Sequence, residues 1–360
     1  MLGFVRNRMD AFFGRNQYST SVPSMDGPWH PNELLETAEV RFRLEDLDNL
    51  CAAPDGLYCS SGSTVYRVSD TGPLPAHEMS APVTCLAAAA DGTLAVGLEG
   101  KGIELVGGSH HGKTFGELAC PTDAVFTDAT TLVVTVGSDS RLPSDWKHDL
   151  VGKGRSGSVW RIDVVSGKSA CLASGLAWPA GVAVKEDGTL VVSEAWKCRL
   201  VTIPAEGGTP TEALADLSAY PCRIRRMASG DFLLSLFAPR NQLLEFILQE
   251  NRFRKRMMNE IDPEHWMAPS LRSRQSFLEP LQGGGVIQMG ILKPWSPARS
   301  YGLVAHLSPE LVPAFSWHSR ANGQMHGTTS VAQWNGALLV GARGGGAALV
   351  LPAEEGDMFA

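Results

Sequence analysis

The chain has 360 residues and a formal net charge of -7, with 44% hydrophobic and 19% charged residues. This hydrophobic content excludes a disordered chain, and the scattered lysines and arginines offer no continuous surface for a nucleic acid. One large domain is as plausible as two small ones at this length, because closed β architectures reach it without dividing.

The seven cysteines are odd in number and have no Cys-x-x-Cys spacing. Most lie in apolar stretches, for example Cys85 between Thr84 and Leu86. This pattern is typical of small buried side chains in a reducing compartment, not of a disulfide framework. No stretch approaches 18 apolar residues, and charges interrupt the first apolar residues. We predict a soluble, cytoplasmic protein, and membrane contact is not the expected behaviour.

The chain opens with a segment, residues 1–38, that lacks a strand pattern. Residues 2–14 gather Phe4, Met9 and Phe12 on one side of a helix. We expect this N-terminal segment to pack on the rest of the protein, and contact with a membrane surface is the alternative interpretation.

A turn followed by a short apolar strand recurs six times from residue 39 onward. The turns stand at Asp55-Gly56, Asp91-Gly92, Asp128, Asp187-Gly188, Gly230-Asp231 and Asn335-Gly336. Asp-Gly and Asn-Gly are typical of tight hairpins, because both residues tolerate positive φ. Apolar inner strands and alternating outer strands complete units of about four strands. Together they predict an all-β protein, a six-bladed β-propeller spanning residues 39–360.

Two longer spacings between turns indicate insertions. Residues 138–157 are polar and glycine-rich, as expected of a loop over one end of the propeller. Residues 239–300 lose the strand pattern within the fifth blade. Apolar residues from Leu243 to Met258 follow helical spacing and predict one helix of about five turns, with Gly283-Gly284-Gly285 and Lys293 to Pro297 beyond it. We interpret this insertion as a lid or rim, or as a cap on the channel.

Two segments, Gly175 to Val184 and Val192 to Leu200, resemble the central signature of strictosidine-synthase-like proteins. Ala219 to Ile224 is similar to the start of the next blade in that family. Arg254-Lys255-Arg256-Met257 resembles an insertion in adipocyte plasma membrane-associated protein, and the family is similar to gluconolactonase and senescence-marker propellers. The resemblance implies a hydrolase of the lactonase or arylesterase kind that acts on a small molecule, with a divalent metal (Ca²⁺, Mg²⁺ or Mn²⁺) and no nucleotide cofactor.

Departures from the family narrow what the resemblance implies. The metal-binding positions of gluconolactonase relatives correspond here to Asp48, Ala180 and Glu194, so that alanine replaces an asparagine ligand. Thr329 stands where strictosidine synthase has its catalytic glutamate. Since threonine cannot act as that carboxylate, we reject strictosidine synthesis.

A propeller gathers the starts of its inner strands around one channel, so that distant polar residues meet. We predict Glu194, His326 and Asp123 as catalytic, with the histidine as general base at neutral pH. Hard oxygen ligands suit a divalent cation, and the predicted metal ligands are Asp48, Asp123 and Glu194. The predicted substrate-binding residues are Asn49, Arg223, Trp196 and Thr329.

Several alternatives stay open at the level of sequence. Glu194 pairs with Arg199 or Arg223, and His326 bonds to backbone, if these residues are structural. A propeller that binds a small molecule or a protein without catalysis is the main rival function, with a tryptophan-rich rim of Trp146, Trp196, Trp266 and Trp295. An isomerase or lyase that uses the same carboxylates is a further alternative function. The oligomeric state is not predicted.

Overall fold

The computed structural model describes residues 22–273, 275–276, 278–279, 287–288, 291–292 and 299–353. Six four-stranded antiparallel sheets make up most of this part of the chain. The predicted six-bladed β-propeller is confirmed. The amphipathic stretch at 2–14, the triple glycine at 283–285 and Trp295 lie outside the described residues.

The chain begins with a 3₁₀ turn, Gly27–Trp29, helix α1, Leu34–Thr37, and strand β1, Glu39–Arg43. Blade 1 then follows in simple up-and-down order: β2 (Asp48–Ala53), β3 (Gly56–Ser61), β4 (Thr64–Ser69) and β5 (Gly72–Glu78). Blade 2 has the same order: β6 (Val83–Ala88), β7 (Leu94–Leu98), β8 (Gly102–Val106) and β9 (Thr114–Phe115).

Blades 3 and 4 repeat this order. The strands of blade 3 are β10 (Pro121–Phe126), β11 (Thr131–Val136), β12 (Gly157–Asp163) and β13 (Ser169–Leu176). Between its second and third strands lie a 3₁₀ turn, Pro143–Asp145, and helix α2, Trp146–Gly152. The strands of blade 4 are β14 (Pro179–Val184), β15 (Leu190–Glu194), β16 (Arg199–Ile203) and β17 (Thr211–Leu214), with a 3₁₀ turn at Ala195–Lys197.

Blade 5 is interrupted by the long insertion. It starts with β18 (Ala219–Arg226) and β19 (Phe232–Pro239). The insertion contains helices α3 (Gln242–Gln249) and α4 (Asn251–Glu260), a 3₁₀ turn at Pro263–His265, and a two-stranded ribbon of β20 (Ile287–Gln288) and β21 (Ile291–Leu292). The outer strands of the blade are β22 (Leu303–Leu307) and β23 (Pro313–His318).

Blade 6 closes the ring with strands from both ends of the chain. It contains β24 (Thr328–Trp334), β25 (Ala337–Ala342), a 3₁₀ turn at Arg343–Gly345, and β26 (Ala347–Val350). The N-terminal strand β1 adds to it as the outermost strand, with Glu39 opposite Val350. Pairing the two ends of the chain leaves no open gap in the ring of sheets.

All six predicted turns join the first and second strands of a blade. In blade 6 the hairpin loop is Asn335-Gly336, with φ of 49° and 79°, and Trp334 pairs directly with Ala337. Two consecutive residues with positive φ match the twist of the flanking strands, which is why this dipeptide is favoured there. Asp187 closes its turn differently, by accepting a hydrogen bond from the Thr189 amide at 2.9 Å.

The predicted single helix in the insertion is wrong, because the chain breaks at Glu250 into α3 and α4. Ile247 and Met257 belong to one buried cluster with Trp266. On an unbroken helix ten residues would separate them by roughly 15 Å. The break at Glu250 lets both side chains join the same buried cluster.

The described part of the N-terminal segment contacts blade 5. Asn32 donates from Nδ2 to the Ser316 carbonyl at 2.8 Å, and its Oδ1 accepts from the His318 amide at 2.9 Å. Leu35 is fully buried beside Trp317. These contacts fix residues 32–35 against the outermost strand of that blade.

Candidate functional site at the channel mouth

A cavity of about 460 Å³ lies where the six inner strands begin. Every blade contributes to its wall, as do the loop before α2 and Leu271 of the long insertion. The wall includes Asp48, Thr84, Glu99, Ser144, Trp146, Trp178, Ala195, Trp196, Cys222, Arg223, Phe237, Leu271, Thr329 and Arg343. This position over the channel is where propellers typically bind ligands.

Asp48 is the centre of an ionic floor in this cavity. Its Oδ1 accepts from Arg223 Nη1 at 2.9 Å and from Thr329 Oγ1 at 2.8 Å, and its Oδ2 accepts from Arg343 Nη1 at 3.0 Å. Burial alone would raise the pKa of Asp48, but the two guanidinium groups and the hydroxyl together lower it. The carboxylate therefore stays ionised and is a poor proton acceptor.

Asp123 lies in the channel, outside the cavity wall. It is fully buried and binds Arg225 through two parallel bonds of 2.6 Å. Its Oδ2 also accepts from the Val182 amide at 2.9 Å, and Oδ1 is 3.8 Å from Arg223 Nε. A carboxylate with two guanidinium groups and a backbone donor has little capacity left for another ligand.

Glu194 is also fully buried and outside the cavity wall. Its Oε2 accepts from Arg199 Nε at 2.6 Å, and its Oε1 accepts from Lys197 Nζ and from the Ala177 amide, both at 2.8 Å. The pairing with Arg199 that the sequence offered as the structural alternative is confirmed. These contacts place Glu194 in an ion cluster that fixes the turn after β15.

His326 is likewise buried away from the cavity wall. Its Nε2 donates to the Arg320 carbonyl at 2.6 Å, and its Nδ1 bonds to Ser300 Oγ at 2.6 Å. Because a carbonyl only accepts, this geometry gives the Nε2-protonated ring. The backbone contact that the sequence offered as the structural alternative is confirmed.

Asn49 is 1% exposed and does not line the cavity, although Arg223, Trp196 and Thr329 do. Its Nδ2 donates to Ser60 Oγ at 2.7 Å and to the Val83 carbonyl at 3.3 Å. Asn49 thus joins blade 1 to blade 2. Of the four predicted substrate-binding residues, the structure brings three to one cavity.

The predicted metal ligands do not form a ligand set. Asp48, Asp123 and Glu194 each bind a different pair of cationic side chains, and Glu194 lies apart from the channel pair. No three His, Cys, Asp or Glu side chains cluster in the described ranges. Two guanidinium groups around Asp48 would repel a divalent ion from its oxygens. These donors do not fit the metal site that the sequence predicted.

The cavity contains one carboxylate that the sequence analysis missed, Glu99. Its backbone amide donates to the carbonyl of the residue before β6, just as the Ala195 and Arg343 amides do in blades 4 and 6. These three equivalent residues line the cavity, one position after the end of each second strand. Glu194 lies one position earlier, and a shift of one residue reverses the face of a strand.

Cys222 is the one cysteine on the cavity wall. Burial raises the pKa of its thiol to about 11. It is therefore a neutral thiol at pH 7, and not a thiolate nucleophile. All seven cysteines are free, in agreement with the expectation of a chain without disulfides.

A second cavity of about 420 Å³ adjoins the first one and shares Trp146, Leu271 and Arg343 with it. Residues of the long insertion, including His265 and Arg299, line its other side. The insertion therefore borders the channel mouth. Among the described residues, none of the helices is long and apolar enough to cross a lipid bilayer.

Comparisons with known proteins find similarity in structure. A scan against protein-family models gives no match, and a search of curated proteins gives none either. A gluconolactonase from Xanthomonas campestris is 12% identical, with 88% of each chain covered and a TM-score of 0.55. A luciferin-regenerating enzyme is 11% identical, with 84% of each chain covered and a TM-score of 0.51.

Both proteins have the propeller architecture that the sequence resemblance implies. The relation to strictosidine synthase and to adipocyte plasma membrane-associated protein stays a prediction. At identities of 11% and 12% the similarity is one of architecture. The chain thus shares the β-propeller fold of a gluconolactonase and a luciferin-regenerating enzyme.

Proposed function

We propose that the cavity at the channel mouth binds a small ester or lactone and hydrolyses it, with Glu99 as general base. The observation that carries this proposal is a carboxylate on the same cavity wall as a partly exposed guanidinium group, that of Arg343. Among the described residues, no lysine, arginine or histidine pairs with Glu99. The fold shared with a protein described as a gluconolactonase supports this choice of reaction.

Glu99 is suited to accept a proton. It is partly buried, and its Oε1 accepts from Ser144 Oγ at 2.6 Å. A carboxylate that carries one neutral hydrogen bond keeps lone pairs for a water molecule. Asp48, by contrast, uses both oxygens for cationic partners.

Arg343 is suited to stabilise an oxyanion. Its side chain is 39% exposed, and one nitrogen, Nη1, binds Asp48. Its Nε and Nη2 groups donate to no other described residue, so they are available to a carbonyl oxygen. Donors fixed in advance around developing negative charge are commonly the largest contribution to such catalysis.

In the proposed reaction Glu99 takes a proton from water, and the resulting hydroxide forms a bond to the carbonyl carbon. The carbonyl π electrons move to oxygen, next to Arg343. When the tetrahedral intermediate collapses, the carbon–oxygen bond to the leaving group breaks, and the proton on Glu99 passes to the leaving oxygen. An ester gives an acid and an alcohol, and a lactone gives a hydroxy acid.

The catalytic roles that the sequence predicted for Glu194, Asp123 and His326 stay predictions, as does the absence of a nucleotide cofactor. A metal is assigned no step, because the donors around Asp48 do not suit one. The long insertion keeps its proposed role as a lid or rim, since Leu271 reaches the cavity wall.

The test is turnover on a panel of small esters and lactones, followed by the variant Glu99→Gln. Loss of a general base lowers kcat by roughly 10²- to 10⁴-fold. The matched control is Glu117→Gln, which changes an exposed glutamate outside the cavity and is expected to keep full activity. Turnover that survives Glu99→Gln would remove Glu99 from the mechanism, and a panel without any turnover would reject hydrolysis.

The second candidate function is a binding propeller without catalysis. The specific observation in its favour is that Asp48, Asp123 and Glu194 are all neutralised by cations, which is typical of structural charges. Saturable binding of small ligands by a protein that hydrolyses no member of the panel would favour this function.

A further inference from the structure

We propose that the substrate carries a flat aromatic ring, which is bound by an aromatic wall formed by Trp146, Trp178, Trp196 and Phe237. This inference rests on the proposed function and names the class of substrate for the same cavity. All four side chains line that cavity. The wall is thus a specificity-determining surface, separate from Glu99 and Arg343.

The rings of the aromatic wall contact one another in sequence. The rings of Trp178 and Trp196 stack, with centroids 5.3 Å apart and an angle of 27° between their planes. Trp146 lies 6.1 Å from Trp196 at 31°, and Phe237 meets Trp146 edge to face at 5.4 Å and 82°. Because these rings line the cavity, a flat aromatic ligand can extend the array by offset stacking or by an edge-to-face contact.

One ring of the aromatic wall belongs to a residue with a strained backbone. Trp178 has a φ of +56°, in the left-handed region that bulky residues rarely adopt. Gly137 leaves space for its ring, since a Cβ at that position would lie 3.0 Å from Trp178 Cδ2. Strained positions that the surrounding structure keeps in place are concentrated at ligand-binding sites. The strain therefore points to a function for this indole.

A buried carboxylate fixes a second ring. Asp149 is 5% exposed, and its Oδ1 accepts from Trp196 Nε1 at 2.8 Å. Asp149 and Trp146 both belong to α2, so one short helix supplies a ring of the wall and the acceptor that orients its neighbour. Asp149 is a positioning residue, because it does not itself line the cavity.

The charged side chains that line the cavity are Asp48, Glu99, Arg223 and Arg343, two anions and two cations. Arg223 and Arg343 both bind Asp48. The aromatic wall itself contains no charged group, so a neutral ring can stack on it without a charged partner. An aromatic or benzo-fused ester or lactone combines a neutral ring for the wall with a carbonyl group for Arg343.

The experiment measures binding without turnover, by isothermal titration calorimetry. The probes are lactams, which replace the reactive lactone: δ-valerolactam, 3,4-dihydro-2(1H)-quinolinone with a fused benzene ring, and octahydro-2(1H)-quinolinone with the same ring saturated. The saturated probe matches the aromatic one in size but is not flat. We expect the aromatic lactam to bind at least tenfold more tightly than either of the others.

Variants connect that preference to the aromatic wall. Trp196→Ala is expected to abolish the tenfold preference, and Trp196→Phe is expected to keep part of it. The control is Trp160→Phe, which is expected to leave the preference unchanged because Trp160 lies on β12 outside the cavity. Asp149→Leu, which removes the acceptor, is expected to reduce the preference, while Asp149→Asn keeps an acceptor oxygen and rescues it. Thermal unfolding of each variant shows whether it is folded. If Trp196→Ala does not fold, the binding measurements on Trp196→Phe test the inference instead.

Equal affinity for the aromatic and saturated lactams would overturn the inference. An equal loss for all three lactams in Trp196→Phe would also overturn it. Failure of the hydrolase proposal is distinguishable, because it appears as strong binding of the aromatic lactam without turnover of any ester or lactone.

Discussion

Arg223 donates from Nη1 to Asp48 Oδ1 at 2.9 Å, and this ion pair joins blade 5 to blade 1 across the channel. Both side chains are nearly buried, with exposures of 6% and 10%. Removing one member of a buried ion pair leaves the other charge without compensation. The pair therefore links blades 5 and 1 at the centre of the ring, whereas the pairing of β1 with β26 closes the ring at its outer edge.

The first prediction is that Asp48→Asn destabilises the protein by about 3 kcal/mol, because Arg223 and Arg343 both lose a charged acceptor. Chemical denaturation measures the change in the free energy of unfolding. Asp55→Asn is the control, since the Asp55–Arg67 pair is about half exposed and such pairs contribute about 0–1 kcal/mol. Equal losses in the two variants would contradict a central role for the channel pair.

The blades could be predicted from sequence because their turns are encoded locally. Asn335-Gly336 requires positive φ at two adjacent residues, and few dipeptides tolerate it. The pairing of Glu39 with Val350 has no such signal, since the partners stand at opposite ends of the chain and contact depends on closure of the whole ring. The break at Glu250 has no local signal either, because no proline or glycine marks it and the cluster that Ile247 and Met257 join with Trp266 forms only in the folded protein.

Part of the cavity wall could be predicted from sequence, and the position of Glu194 outside that wall has a simple geometric cause. The repeat pointed to Arg223 and Thr329, and both residues line the cavity. The repeat also pointed to Glu194 in blade 4, but the residue that lines the cavity there is the next one, Ala195. In blade 2 the equivalent position is occupied by Glu99. Strand alternation turns this offset of one residue into opposite faces. Aligning the ends of the second strands would have identified Glu99.

The second prediction concerns Glu194→Gln. The variant keeps an acceptor for the Ala177 amide but loses the charge that binds Lys197 and Arg199, both of which are partly exposed. We expect a loss of about 1–3 kcal/mol in the free energy of unfolding. We also expect kcat on a hydrolysed ester to change less than twofold. A loss of 10²-fold or more in kcat, with the fold intact, would instead establish the catalytic role that the sequence predicted.

The third prediction concerns pH and His318, which is fully buried. Its Nδ1 bonds to the Tyr301 hydroxyl at 3.1 Å and its Nε2 to Ser316 Oγ at 2.8 Å. Burial first, and then the charge of nearby His30, lowers its pKa from 6.5 to about 3. Below pH 6.5 the unfolded chain therefore takes up a proton that the folded protein does not.

The stabilising contribution of neutral His318 is complete above pH 6.5 and is lost as the pH falls toward about 3. The slope for one such group approaches about 1.4 kcal/mol per pH unit. We expect unfolding free energies measured between pH 7 and pH 5 to fall less steeply in His318→Gln than in the natural chain. Parallel curves for the two proteins would show that His318 is not the group responsible.

The fourth prediction concerns Gly137→Ala, which tests whether the space beside Trp178 is required. A Cβ at this position would lie 2.9 Å from Thr122 Cγ2 and 3.0 Å from Trp178 Cδ2. Since both neighbours are held in the cavity wall, relief requires the indole or the threonine to move. We expect a loss of about 1–3 kcal/mol in stability, as is typical of an overpacked site. Gly152→Ala is the control, because a Cβ there meets no atom within 4 Å.

The same variant separates packing from recognition. If the position of the Trp178 ring matters only for stability, Gly137→Ala lowers the free energy of unfolding and leaves the affinities for all three lactams in their original ratio. If the ring binds the substrate, the affinity for the benzo-fused lactam falls more than the affinity for its saturated counterpart, because stacking depends on the orientation of the plane. Calorimetry on folded Gly137→Ala protein at a temperature well below its unfolding midpoint distinguishes the two results. A preserved ratio would remove Trp178 from the aromatic wall, and the strain at its backbone would then need a purely structural reason.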